Sequence, residues 1–339
     1  MADCTPPVRL PPVADQGKGR PSSSAKATED RASSARAAIM QERMRQLSLI
    51  VNPHGGGRRG PAVLDRVRPL LQEAGVELTV QVTTRPGEAR DLARSMDLDG
   101  VAGICAIGGD GTMHELVNGL LAREDGRRVP VGLLPGGTGN AFLTSLGLAD
   151  PAAAAAAILA GRTRAIDLVR VTMPGEARYA FNIVGWGLTT AVAARADALR
   201  WLGRRRYDAA ALWEILRCRR HPARLTLDGA TEEGRFLMAV ACNTPYTGVG
   251  MRIAPPARLD DGRLEVVLVR RATRRQLLRL LPRLFDGSHL DSPLVGLRRV
   301  SELTIAPETP APLNVDGEVV GSTPVTVTVC PGALQVFSA

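Results

Sequence analysis

From residue 46 onward the apolar positions of the chain change period in a regular way. Residues 47–51 are a short, mostly apolar run that ends in Asn52-Pro53-His54-Gly55-Gly56-Gly57, a strand running into a glycine loop. Val63, Leu64, Val67, Leu70 and Leu71 then recur at helical spacing. Val76, Leu78, Val80 and Val82 alternate with polar residues, which predicts a second strand. A helix over 88–96 follows, and a buried strand over 101–107 delivers Gly108-Gly109-Asp110-Gly111-Thr112. Residues 113–121 are helical in pattern, and a strand over 131–134 ends in Pro135-Gly136-Gly137-Thr138-Gly139-Asn140. Strand, loop and helix repeated in this way predict a parallel sheet covered by helices. Three glycine loops then sit at the carboxyl ends of three strands, where ligands bind in such sheets.

After an alanine-rich helix over 151–160 the rhythm changes. Residues 166–171, 180–184, 225–227, 237–242, 264–268 and 303–305 read as strands with few helices between them. Two helices, 207–217 and 274–284, interrupt the series. The fold class is therefore α/β: a parallel-sheet domain over residues 46–165, then a mainly antiparallel, β-rich domain over 166–325. Residues 1–45 are rich in Pro, Ser, Ala and charge and lack the apolar stretch of a signal peptide. They read as a disordered tail, or as sequence upstream of a start at Met40 or Met44.

Charge narrows the chemistry. The net charge is +9 and nearly all the positive charge is arginine, because lysine occurs only at Lys18 and Lys26. A P-loop or a protein-kinase site needs a lysine on the phosphates, and Schiff-base chemistry needs a reactive one. None is available after residue 26. HExxH and GxSxG are missing as well. Three Trp, three Tyr and five Phe are too few for a base-stacking surface, so no nucleic-acid partner is expected. The five cysteines form no CxxC pair, which fits free thiols in a reducing cytoplasm. No apolar run is long enough to span a bilayer.

The glycine loops carry the candidate chemistry. Glycine leaves backbone N–H groups open to a phosphate, and the helix that follows adds its positive end. A tight bend explains the glycines, but not an aspartate between two of them. A carboxylate at that apex repels phosphate unless a metal or a substrate proton intervenes, so Asp110 points to Mg²⁺ binding or general-base work.

Residues 108–120, running from Gly108-Gly109-Asp110-Gly111-Thr112 through His114-Glu115 to Asn118-Gly119-Leu120, resemble the nucleotide motif of the diacylglycerol kinase and sphingosine kinase family. Residues 135–141 are similar to that family's second motif and Asn52-Pro53 to its first. Ile253-Ala254-Pro255 and Asp260-Asp261-Gly262-Arg263-Leu264 are similar to a bacterial diacylglycerol kinase signature, and Asn314-Val315-Asp316-Gly317-Glu318 to a carboxyl-terminal one. The resemblance covers residues 46–339. It implies an NAD-kinase-like first domain, a β-sandwich second domain with the last strands (about 326–339) returning to the first, and ATP between them. It also implies transfer of the γ-phosphate of ATP to a hydroxyl of a membrane lipid.

On that resemblance Asn52, Gly108, Gly109, Gly111, Thr112, Glu115, Gly137, Thr138 and Asn140 are expected at the nucleotide. Asn52 could equally be a turn residue, Asn140 a helix N-cap, and Glu115 a bridge to an arginine. Asp110 is the first candidate for the essential acid and Asp316 the alternative general base. Asp110 and Glu318 are the candidate Mg²⁺ ligands. His114 reads as a surface or helix-face histidine, and Arg58 or Arg59 as the cation at the phosphates. The stretch from Gly185-Trp186-Gly187-Leu188 to Arg200-Trp201-Leu202-Gly203 and Arg206 is similar to sphingosine and ceramide kinases. The acidic positions that engage a sphingoid head there fall on Ala191 and Ala193, leaving Asp197 as a lone acid. A neutral acceptor such as diacylglycerol is therefore expected, with a sphingoid lipid as the alternative. Arginines flanking the helices at 207–217 and 274–284 suggest peripheral contact with an anionic membrane. Monomer and homodimer are both open. An NAD kinase, a phosphofructokinase-like enzyme and a catalytically silent lipid-binding regulator are the rival readings.

Overall fold

Continuous apolar runs make strands that can be buried on both faces, and three of the first four strands are of this kind, while the second alternates and lies at the sheet's edge. The computed structural model describes residues 46–137, 139–248 and 250–338, with the side chains of Arg200 and Arg204 left aside. The tail expected over 1–45 and the candidate Thr138 lie outside the described residues. Strand β1 (Gln46–Val51) lies between β2 (Glu77–Val82) and β3 (Gly103–Gly108), with β4 (Val131–Pro135) beyond β3, all parallel. Helices α1 (Gly60–Glu73), α2 (Glu88–Ser95) and α3 (Asp110–Leu121) make the crossovers. β3 and β4 are buried along their whole length, as strands between two helical layers must be. Two shorter helices follow, α4 (Ala141–Leu146) and α5 (Pro151–Leu159). Asp150 caps α5, accepting from the amides of Ala152 and Ala153 at 2.9 and 3.0 Å.

Strands β5 (Thr163–Met173) and β6 (Glu176–Ala180) form a hairpin on the far side of this sheet. The chain then crosses to a second, antiparallel sheet through β7 (Ile183–Gly187). Helices α6 (Leu188–Ala198) and α7 (Arg206–Arg217) lead back to a hairpin of β8 (His221–Leu227) and β9 (Ala230–Phe236) in the first sheet. β10 (Met238–Cys242) and β11 (Leu264–Val269) belong to the second sheet, and α8 (Arg274–Arg283) packs on α7. The remaining strands are β12 (Val295–Val300), β13 (Glu302–Pro307), β14 (Leu313–Val315), β15 (Glu318–Val320) and the long β16 (Val325–Phe337). The second sheet has the order β12-β11-β10-β7-β14-β15. β16 pairs antiparallel with β5 and β13, and through Val336 parallel with Val131 of β4. One strand thereby stitches the parallel sheet to the sandwich.

The period-2 pattern of the second sheet explains its layers. Along β11, Leu264, Val266 and Leu268 face the first sheet, in a core with Trp186, Leu225, Leu303 and Val327. Val267 and Val269 face the other way, toward Ile215 of α7 and Leu277 of α8. The layers are therefore sheet, sheet, helices.

Two expectations change. Residues 180–184 are not one strand: β6 ends at Ala180 and β7 begins at Ile183, because Phe181 and Asn182 carry the chain between sheets. The amides of Phe181, Asn182 and Ile183 all donate to the Asp316 carboxylate, at 3.1, 2.9 and 3.0 Å, which fixes the crossing. A third helix, α6, joins the two expected ones. Its run of alanines, threonines and a valine shows no apolar period to announce it.

Candidate active site

The three glycine loops meet at the ends of β1, β3 and β4. The amides of Gly136 and Gly137 donate to the carbonyl of Gly108 at 2.8 and 2.9 Å. A Cβ on Gly137 would lie 2.3 Å from the Cα of Gly109, and one on Gly56 2.2 Å from the carbonyl oxygen of Gly136. Gly56 also has φ +54°, where a side chain is strained. Backbone packed on backbone is thus the local reason for these glycines. Arg59 adds a tie, donating through Nε to the carbonyl of Gly56 at 2.9 Å and through its guanidinium to that of Gly137. Arg59 is the arginine that the structure ties across these loops, whereas Arg58 is an exposed residue in the left-handed conformation.

Asp110 stands where the loops converge, in the first turn of α3. Its carboxylate accepts from the amide of Ala141 at 3.0 Å and of Phe142 at 3.3 Å, the first amides of α4. Burial pushes its pKa up to about 7, against the pull of these two amides and of the Asn182 side chain; the nearby Asp316 charge pushes the same way as burial. Asn140 occupies the N-cap position of α4 but makes no side-chain cap, because Asp110 has taken those amides. Among the described residues the Asn140 Oδ1 is left buried with no partner.

Asp316 is placed differently from a solvent-facing base. It lies in the turn between β14 and β15, with φ +52° and a fully buried side chain. Besides the three amides at the crossing it meets His114 Nδ1 at 3.0 Å. His114 is buried on α3, not on the surface as expected. Burial lowers its pKa, but the hydrogen bond and charge of Asp316, helped by Glu318, outweigh that and leave it raised. Four donors occupy the Asp316 carboxylate, so its place is that of a joint between α3, the crossing and the β14–β15 turn. That turn carries Glu318, whose Oε1 lies 3.8 Å from where a Cβ on Gly111 would be, over the amino end of α3. Burial raises the Glu318 pKa; the His114 charge opposes this, and Glu115 and Asp316 add to it.

Other expected site residues are committed elsewhere. The Glu115 carboxylate accepts from the amides of Gly87 and Ala89 at 2.9 and 3.2 Å, so it holds the amino end of α2, while its charge is felt at Glu318. Asn52 accepts from the amides of His54 and Gly55 at 3.0 and 3.1 Å and donates to Thr112 Oγ1 at 3.0 Å. Both ends of the Asn52 amide are therefore used in shaping the first two loops. The residue missed from sequence is Asn182. Its side chain bonds Asp110 and accepts from Thr244 Oγ1 at 3.1 Å, linking the second sheet to the acid. A lone asparagine between apolar residues carries no signal for this.

On α6, Ala193 is buried and Ala191 partly so. Arg195 pairs with Glu214 at 2.9 Å and lies 5.3 Å over the Trp213 ring. Asp197 lies 3.9 Å from Arg206. Glu214 and Asp197 are thus each matched to an arginine.

Glycine loops at the carboxyl ends of parallel strands, joined to a β-sandwich, define a two-part nucleotide-binding type of fold, and the comparisons with known proteins narrow it. Residues 46–171 match the diacylglycerol kinase catalytic domain, and residues 182–338 the YegS C-terminal NAD kinase beta sandwich-like domain. The chain is 32% identical over 300 residues to the diacylglycerol kinase of Mycobacterium tuberculosis (strain ATCC 25618 / H37Rv), covering 86% of this chain and 94% of the relative. It is 27% identical over 314 residues to sphingosine kinase 1 of Arabidopsis thaliana, covering 78% of this chain but 65% of that longer relative. The crystal structure of a Bacillus anthracis str. Sterne protein assigned as a diacylglycerol kinase shares the fold. Its TM-score is 0.73 at 24% identity, over 87% of this chain and 95% of its own. The chain belongs to the diacylglycerol kinase family of lipid kinases.

Proposed function

We propose that this protein transfers the γ-phosphoryl group of ATP to the hydroxyl of a neutral membrane lipid, with diacylglycerol as the preferred acceptor. The observation that carries the reading is Asp110, a carboxylate with a pKa of about 7 at the junction of the glycine loops. A base with that pKa is half ionised near neutrality, where general-base catalysis is most effective. The lipid oxygen attacks the γ-phosphorus, its proton passes to Asp110, and the bond to the ADP oxygen breaks. The first-turn amides of α3 have no partner inside the helix and face the transferred group, with Gly111 keeping the approach clear and Gly108, Gly109 and Gly137 letting the loops pack closely beside it. Asn140 Oδ1 gains a donor from the ribose or from a water on the phosphates. Asp316 and His114 hold Glu318 in place, and Asn52 and Thr112 hold the loops in register.

Glu318 suits Mg²⁺, which needs one or two protein carboxylates when the nucleotide supplies the remaining oxygens. Among the described residues no group of three or more His, Cys, Asp and Glu could hold a metal without the nucleotide. Bound there, the ion would neutralise charge on the phosphate oxygens.

A neutral acceptor is favoured over a sphingoid base because alanines, Ala191 and Ala193, stand at the positions aligned with the acids that engage an ammonium, and Glu214 and Asp197 beside α6 are matched to arginines. A transfer assay presenting diacylglycerol, monoacylglycerol, ceramide and sphingosine in mixed micelles, with NAD as a soluble control, tests this. Label on a neutral lipid is expected. Preference for sphingosine would overturn the acceptor assignment, label on NAD alone the lipid reading, and no turnover with any acceptor would favour a silent regulator.

A further inference from the structure

Nine large apolar side chains lie exposed among the described residues, and seven of them fall in two neighbouring stretches. Trp201 (79% exposed) precedes α7, and Leu212, Trp213 (53%) and Leu216 lie on it. Leu278 is on α8 and Phe285 (56%) just follows it. The two helices already bury an apolar side, with Ile215 and Leu277 packed on the second sheet. A surface helix normally carries one apolar stripe, so a second, outward one needs a partner. The patch is charged in a particular way. Arg217, Arg219, Arg220, Arg274, Arg275 and Arg279 are exposed and make no ion pair among the described residues. Elsewhere Arg85, Arg94, Arg127, Arg224 and Arg299 each hold a carboxylate. Exposed Arg58, Arg68, Arg90, Arg162 and Arg235 also make no ion pair among the described residues, but they are scattered over separate elements, whereas six fall beside this one apolar patch.

We propose that α7 and α8 form a docking face that sets Trp201, Trp213, Leu216 and Phe285 into the interface of an anionic phospholipid leaflet, while the six unpaired arginines engage its phosphates. Indole and phenyl rings flanked by guanidinium groups match the boundary between headgroups and acyl chains. The occupant follows from the lipid-kinase reading, which requires an acceptor that resides in a bilayer. Vesicle binding, however, is measured without turnover, so the two can fail separately.

Two of the three tryptophans lie on the face, and the third, Trp186, is fully buried. Tryptophan emission should therefore shift to the blue when phosphatidylglycerol vesicles are added, and the protein should sediment with them, less so in high salt. Phosphatidylcholine vesicles should bind far less. Combining Trp201→Ser, Leu216→Ser and Phe285→Ser should weaken binding at least tenfold. Arg274→Gln with Arg275→Gln should weaken it roughly 25-fold, at roughly fivefold per arginine. Neither set should change turnover of a micelle-dispersed acceptor or the melting temperature. Unchanged emission with no sedimentation would overturn the proposal. So would full binding by the triple-serine variant, or a lipid-free dimer that Trp201→Ser disperses, which would make the face a protein interface. Vesicle binding without transfer to any lipid would leave the face standing and remove the lipid-kinase reading.

Discussion

At Asp110 two effects oppose each other and the balance sets the chemistry. Burial favours the proton, while two helix amides and Asn182 favour the charge, and the result is a pKa of about 7. If Asp110 is the base proposed above, it must be ionised to accept a proton, so kcat/KM should fall roughly tenfold per pH unit below about 7 and level off above it. A flat profile across that range would contradict the assignment. Asp110→Asn should lower kcat roughly 10²–10⁴-fold, the usual worth of a general base, with circular dichroism unchanged. The acid was legible in the sequence because a carboxylate between glycines has no simple structural excuse. The role of Asp316 was not, since its partner His114 lies 202 residues away and nothing local pairs them. Asn140 shows the same limit from the other side. It sits at a helix start, as its type suggests, yet the capping is done by Asp110 from another loop.

Among the elements, the strand–loop–helix rhythm of β1 to β4 could be read directly, because β1, β3 and β4, covered on both faces, are nearly all apolar and the edge strand β2 alternates. The sandwich was legible as a class and less so in detail. Short hairpins such as β14–β15 have too few residues for a pattern, and α6 has no apolar stripe. The glycine loops were read as phosphate sites, and the structure shows that Gly56, Gly108, Gly109 and Gly137 are also required by close packing. Gly137→Ala would drive a Cβ into the Gly109 backbone, so the loops must part. The expected outcome is a raised KM for ATP together with a lower kcat, measured at saturating lipid. Glu115→Gln is the contrasting case. Losing the charge that holds the amino end of α2 should cost about 1 kcal/mol of stability in urea titrations and leave the KM for ATP within about twofold. A large KM effect would return Glu115 to the nucleotide site.

For the molecule as a whole, the two parts are coupled by β16 and by the buried cluster around Asp316. Removing one partner of a buried, hydrogen-bonded charge leaves the others unpaired, so Asp316→Ala should destabilise by about 3–5 kcal/mol. The pH dependence has a definite sign. His114 is raised above its ordinary 6.5, so its stabilisation is complete below that value and is lost as pH rises through the folded-state pKa. His114→Gln should flatten that part of the stability profile in chemical denaturation. Such a joint explains why the acid, the helix end and Glu318 keep one arrangement although they come from distant parts of the chain. The most direct test of the account is the fate of the terminal phosphate. Wild-type protein given γ-labelled ATP, Mg²⁺ and diacylglycerol in mixed micelles should move the label into an organic-extractable phospholipid, and Asp110→Asn, equally folded, should not. Label that stays with the nucleotide or inorganic phosphate, or that Asp110→Asn transfers as fast as wild type, would contradict it.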